Sequence, residues 1–364
     1  MTTNEVLHLT GPVLAGREDV RPQAWVVGGR ITYDVPAGET TRVDGVVVPG
    51  LVDAHCHIGL GTQGAVSSDE AEQQALTDRD SGALLLRDAG SPCDTRWVDD
   101  REDLPRLVRA GRHIARTRRY IPDFADEVEP EGLVDAVRAQ ATAGDGWVKL
   151  VGDWIDRGTG DLEACWPADV LVEAIAAAHD LGARVTAHCF ASVGLPDLVA
   201  AGIDCIELGT GLDASTIPLL ADAGVAVVPT LVNIETFPQI AVGAARFPVY
   251  AAHMMDLHAR RFETVRAAHG AGLALYAGTD AGGSLPHGLV GQEVALLVRA
   301  GLSPLDALDA ATWSARRWLG HPVLEEGDPA DLVVLEDDPR HDATTLLSPR
   351  HVVLRGARIQ PVQS

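Results

Sequence analysis

Of the 29 Lys and Arg residues in this chain, one alone is lysine, Lys149. A guanidinium keeps its proton in proteins, whereas an ammonium can become a free amine near neutral pH. A chain with this bias has kept, at one position, a group able to act as nucleophile, base or acceptor of CO2 to form a carbamate. Its surroundings, Trp147-Val148-Lys149-Leu150-Val151, read as a buried strand, and burial lowers a lysine's pKa. A leftover surface lysine is the bland alternative, and the apolar flanks weigh against it. His55 and His57 stand two apart after an apolar run, so a strand's period of two puts both imidazoles on one face. Such a pair suits a divalent metal, although histidine pairs also serve as hydrogen-bonded core or turn residues. A β-branched run ends at His188, and another leads into Asp280. Lysine, histidine and carboxylate therefore arrive at the C-terminal ends of separate strands.

The elements that must position them alternate regularly. Strands are expected at 52–57, 83–87, 112–117, 147–151, 184–188, 205–208, 225–229 and 273–279, with amphipathic helices at 69–81, 132–142, 167–181, 191–201, 214–223 and 253–269. Most of the helices close on glycine, as C-caps do. Eight strand–helix repeats predict an α/β fold, a distorted (β/α)8 TIM barrel over residues 50–320, whose active site belongs at the C-terminal strand ends. The flanks, 1–49 and 321–364, read as hairpins and turns. Neither buries a core alone, so the two ends are expected to pair into one small β-sandwich. The stretch 237–258 breaks the rhythm and suits a lid or a dimer element, which leaves a homo-oligomer open.

Composition removes several classes of function. A formal net charge of −23 offers phosphates no basic stripe, so nucleic acid is not an expected partner, and it repels anionic membranes. The arginines at 112, 116, 118 and 119 alternate with apolar residues and read as ion-paired. No apolar run approaches the roughly 20 residues that span a bilayer, and the first residues carry no export signal. Five cysteines, an odd number without C-x-x-C, favour reduced thiols and a cytoplasmic location. Cys56 and Cys189 adjoin the histidines but point to the opposite strand face, and read as packing. The expected partner is a small-molecule substrate.

Taken as an ordered set, PGLVDAHCH (49–57), LLLRDAG (84–90), GWVKLVGDW (146–154), VTAHCF (185–190), YAGTDAGGSLPHG (276–288) and LEEGDPADLVVLEDDP (324–339) resemble the amidohydrolase superfamily. Within it, the likeness is to the imidazolonepropionase-like and prolidase-like metal-dependent hydrolases, and it covers essentially the whole chain. The resemblance implies that His55, His57 and Asp280 ligate the more buried metal, and that Lys149, as a CO2-derived carbamate, bridges to a second metal also held by His188. It implies Zn2+, one or two ions, with Mn, Fe or Co as substitutes. One position departs. Where the family typically reads IEHG, this chain has Ile206-Glu207-Leu208-Gly209, and Leu208 has no lone pair. The second metal would keep only the carbamate, His188 and water, fewer than the four ligands zinc usually takes. One tightly held metal, a second metal completed by water or substrate, or a disabled enzyme that still binds ligand all follow from this.

The chemistry implied is hydrolysis of an amide or cyclic amide C–N bond by hydroxide generated at the metal, with Asp280 as general base and then acid. A mononuclear deaminase, a lactone or phosphoester hydrolase on the same fold, or a ligand-binding variant are the alternatives. For substrate contacts, Arg87 can grip a carboxylate or form a structural ion pair with Asp88 or another acid. Tyr120, Asn233 and His287 follow strands three, seven and eight and face the mouth if those strand ends hold, though loop polar groups also cap turns. His113, His179, His253, His258 and His269 read as surface or packing residues.

Overall fold

The apolar run after Pro49 becomes an 11-residue strand, Leu51–Gly61, buried along nearly all its length. In the computed structural model, which describes residues 5–359, it runs parallel to Ala83–Asp88, which in turn pairs with Arg106–Arg109. A second parallel arc contains His113–Arg116, Trp147–Val151, Arg184–Cys189, Cys205–Leu208 and Ala226–Val228 in spatial succession. These strands are buried on both faces, as sequences without polar alternation must be. The result is a mixed α/β fold.

Two staves differ from expectation. The third is split: Arg106–Arg109 joins the first arc and His113–Arg116 the second. Between them Gly111 turns at φ 71°, a conformation that glycine adopts without steric cost. The eighth, expected over 273–279, makes one parallel bridge, Val227 to Leu275. Its remaining ties are backbone bonds such as Ala54 N–H to Ala277 O (2.8 Å) and Thr279 N–H to His55 O (3.0 Å). Asp280 then takes φ 58°, which ends the extended run, and a regular strand resumes only at Ala281–Gly283, paired to the first.

Helices Ser68–Asp80, Leu133–Ala143 and Ala168–Asp180 fall close to their expected positions. The stretch 237–258 is helical: Phe237–Gly243, then the first half of Pro248–Gly270. The two chain ends do meet, but as one eight-stranded sheet in which Leu332–Leu335 runs antiparallel to Val46–Pro49. Leu7, Leu9, Val26, Val47, Leu332 and Val353 form its apolar cluster. All five cysteines are free thiols, and among the described residues no helix is long and apolar enough to cross a membrane.

Candidate metal centre

Period two on the first strand delivers His55 and His57 to the same place. Their Nε2 atoms are 3.2 Å apart, and Asp280 Oδ1 lies 3.1 Å from the first and 2.9 Å from the second. A tetrahedral ion with ligands at about 2.1 Å has ligand–ligand edges of about 3.4 Å, so the three donors fit a divalent cation. Among the described residues they are the one group of three or more His, Cys, Asp or Glu ligand atoms lying within 4.8 Å of one another. The Nδ1–H of His57 donates to Gly90 O at 2.7 Å, which leaves Nε2 with the lone pair facing the centre. His55 is 1% and Asp280 16% exposed, so the carboxylate is the side that opens to solvent. Burial opposes ionisation of Asp280, but the adjoining His55 and His57 outweigh it and hold the group well below the usual carboxylate range.

Buried acids fix the strand ends that carry these ligands. Asp53 accepts the backbone N–H of His55 (3.1 Å) and of Thr279 (3.0 Å) and the hydroxyl of Thr279 (2.5 Å), which latches strand Leu51–Gly61 to the segment that leads into Asp280. Asp153 accepts Phe190 N–H (2.9 Å) and Ala191 N–H (2.6 Å) just after His188. Glu293 accepts Leu231 N–H (2.9 Å) and Val232 N–H (2.8 Å) at the start of the short helix Leu231–Ile234. From that helix Asn233 donates through Nδ2 to Asp280 Oδ2 at 2.5 Å. Burial pushes Asp53 and Asp153 each up to about 7.

Lys149 is 1% exposed, and its Nζ forms an ion pair with Glu207 Oε2. Burial lowers its pKa to about 7. The other Glu207 oxygen lies 2.8 Å from Arg87 Nη2. The His188 ring is framed by Phe190 (4.3 Å between centroids), Trp154 (5.4 Å) and Tyr120 (5.8 Å). Burial, then Lys149, depress its pKa to about 3, so it is a neutral imidazole, and its Nε2 has no hydrogen-bond partner. Leu208 follows Glu207 at φ 66° and packs in the main apolar core.

Of the four expected substrate contacts, Asn233 reaches the centre through Asp280. Tyr120 stands over His188 and His113, half-buried. Arg87 is fully buried, donates to Ala54 O (2.7 Å) and Glu207, and lies over Trp147. It is the structural ion pair, with Glu207 in place of Asp88. His287 is bonded to Asp78 at 2.8 Å, and Gly288 N–H donates to the same carboxylate, an anchor to helix Ser68–Asp80. Four participants were missed. Asp53, Asp153, Glu207 and Glu293 look like ordinary solvated acids in sequence, although the first three lie within two residues of an expected ligand or within a quoted motif. His113, read as packing, is fully buried, stacks on His57 at 4.9 Å, and has neither ring nitrogen bonded.

Residues 46–359 match the family model described as Amidohydrolase family. An uncharacterized protein of Mycobacterium tuberculosis is 55% identical over 357 residues, 98% of this chain and 96% of that one. Ochratoxinase of Aspergillus niger is 24% identical over 409 residues, 98% of this chain and 82% of that one. Among solved structures, a Xaa-Pro dipeptidase with bound methionine superposes with a TM-score of 0.83 at 22% identity, covering 98% of this chain and all of that one.

Proposed function

Because the chain belongs to the amidohydrolase family, we propose that it is a metal-dependent hydrolase cleaving an amide or cyclic amide C–N bond in a small molecule. The carrying observation is the convergence of His55 Nε2, His57 Nε2 and Asp280 Oδ1. The two parallel arcs support reading the scaffold as a distorted (β/α)8 barrel with this centre at its C-terminal strand ends. Two imidazoles and a carboxylate suit zinc first, with manganese, iron or cobalt as substitutes. When bound, such an ion acidifies water and polarises the scissile carbonyl.

The chain's own side chains do the rest. His55 and His57 hold the cation, the latter oriented by Gly90 O. Asp280, an anion fixed by Asn233 at one oxygen and facing both imidazoles with the other, accepts a proton from the attacking water. It then returns that proton to the leaving nitrogen. The similar fold of a Xaa-Pro dipeptidase is in keeping with this reaction. Five free thiols support a cytoplasmic place of work.

The test is to strip the purified chain with a chelator, restore Zn2+, and assay N-acyl amino acids, dipeptides and lactams. Chelator-sensitive hydrolysis, restored by metal and reduced at least about 100-fold in Asp280→Asn, is expected. Hydrolysis indifferent to both chelator and substitution removes the proposal. Leu208 favours a second reading, a single-metal deaminase on this fold. That reading is adopted if aminated heterocycles release ammonia while acyl amides stay intact.

A further inference from the structure

We propose that this chain holds one catalytic ion, not a bridged pair, and that His188 hydrogen-bonds the reacting carbonyl of the substrate and is not a metal ligand. The inference rests on the amide-hydrolase reading above and specifies how its centre is populated.

Four observations converge. First, His188 contributes nothing to the described three-donor group of His55, His57 and Asp280. Second, the neighbouring stave ends on a hydrocarbon. His188 is in register with Glu207 and Cys189 with Leu208, and Leu208 is 2% exposed within the apolar core. Its left-handed φ of 66° costs roughly 1–2 kcal/mol for a non-glycine residue, so the turn persists although leucine has no donor atom to present. A second cation would face one imidazole and a hydrocarbon where zinc asks for about four donors.

Third, the amine of Lys149 lies against the Glu207 carboxylate. Carbamate formation, R–NH2 + CO2 → R–NHCOO− + H+, converts a cation-capable group into an anion that two metals stabilise by sharing it. Here Nζ sits on Glu207 Oε2, and Arg87 holds the other Glu207 oxygen at 2.8 Å. An added carboxylate on Nζ would meet that carboxylate, with no second metal to separate the charges. Fourth, His188 Nε2 is buried without a partner, a costly state unless a ligand completes it. The ring is enclosed by Phe190, Trp154 and Tyr120, and the last two are only half-buried. That apolar frame strengthens a hydrogen bond to a carbonyl and suits a neutral group in place of a second cation.

The experiment uses the full chain loaded with excess Zn2+, freed of unbound metal by gel filtration, and counted by elemental analysis. One ion per chain is expected, with no carbamate signal by 13C NMR after exchange with 13C-bicarbonate; two ions, or a carbamate on Lys149, overturn the inference. His188→Ala is expected to keep the count at one, with zinc affinity changed less than about 10-fold, the lower end of the effect of second-shell changes. Its hydrolysis should fall about 100-fold or more, while His55→Ala loses the ion. A His188→Ala chain that weakens zinc as His55→Ala does overturns the assignment. A wild-type chain that binds no zinc sinks the hydrolase proposal as well. Two ions with intact amidase activity sink only this inference.

Discussion

Replacing Glu293 should loosen a site it never touches. Its side chain is 0% exposed, and its two oxygens cap Leu231 and Val232 at 2.9 and 2.8 Å. The helix they begin has no side-chain cap of its own, because Thr230 enters at φ 47° without one. One residue later, Asn233 holds Asp280 at 2.5 Å. Glu293→Gln keeps one acceptor and turns an NH2 toward the second backbone donor, leaving one buried N–H unpaired at a cost of about 1–3 kcal/mol. For a chain of this length, with an unfolding entropy of roughly 2.1 cal/mol/K per residue, that lowers Tm by about 1–4 °C. Glu293→Ala orphans both donors and roughly doubles the loss. Because Asn233 shifts with its helix, zinc affinity should fall about 10–100-fold, the usual effect of disturbing an outer-shell partner. Calorimetry and competition with a chromophoric chelator read the two effects, with exposed Gln292→Ala, the neighbour of Glu293 in helix Val290–Ala300, as control. A Glu293→Gln chain with unchanged Tm and unchanged zinc affinity refutes the reasoning.

Three further outcomes follow from the same geometry. A Cβ at Gly278 would lie 2.7 Å from His55 N and 2.5 Å from Val228 Cγ1, so Gly278→Ala should destabilise the fold by about 1–3 kcal/mol and weaken zinc binding; wild-type urea midpoint and affinity contradict this. Burial raises Asp53 from 3.8 to about 7, so the folded state holds a proton that the unfolded state releases, and the contribution present below about pH 4 is lost as pH climbs through 7. Relative to Asp53→Asn, wild-type stability should therefore decline over that window by up to about 1.4 kcal/mol per pH unit, and denaturation curves that stay parallel across it contradict the assignment. Arg87→Met leaves Glu207 with one fewer buried counter-charge and should cost about 3–5 kcal/mol, whereas Arg87→Met with Glu207→Gln should cost less than the sum of the two single changes; strict additivity argues against a coupled pair.

The grouping of His55, His57 and Asp280 was legible because its signals are local. A strand's period aligns His55 with His57, and an apolar run ending in Asp280 needs only to be a stave. Strands such as Trp147–Val151 and Cys205–Leu208 stand where their patterns put them, since double burial leaves an unbroken apolar run. What was hidden is non-local. Nothing near Arg87 in sequence says that its partner is Glu207, 120 residues away, in place of adjacent Asp88. Glu293 reads as an ordinary solvated acid until the short helix Leu231–Ile234 folds onto it. The eighth stave misled because 273–279 has a strand's composition while its backbone is drawn against His55 through Gly278, leaving one bridge where a ladder was expected. The single sheet formed by the two ends shows the same limit, since the tie of Leu332–Leu335 to Val46–Pro49 joins segments on either side of the central α/β region.

The most direct measurement is anomalous diffraction at the zinc edge from crystals of the zinc-loaded chain. A peak bounded by His55 Nε2, His57 Nε2 and Asp280 Oδ1, each about 2.0–2.2 Å away, is expected. A peak elsewhere, or those three atoms parted with no metal between them, contradicts this expectation.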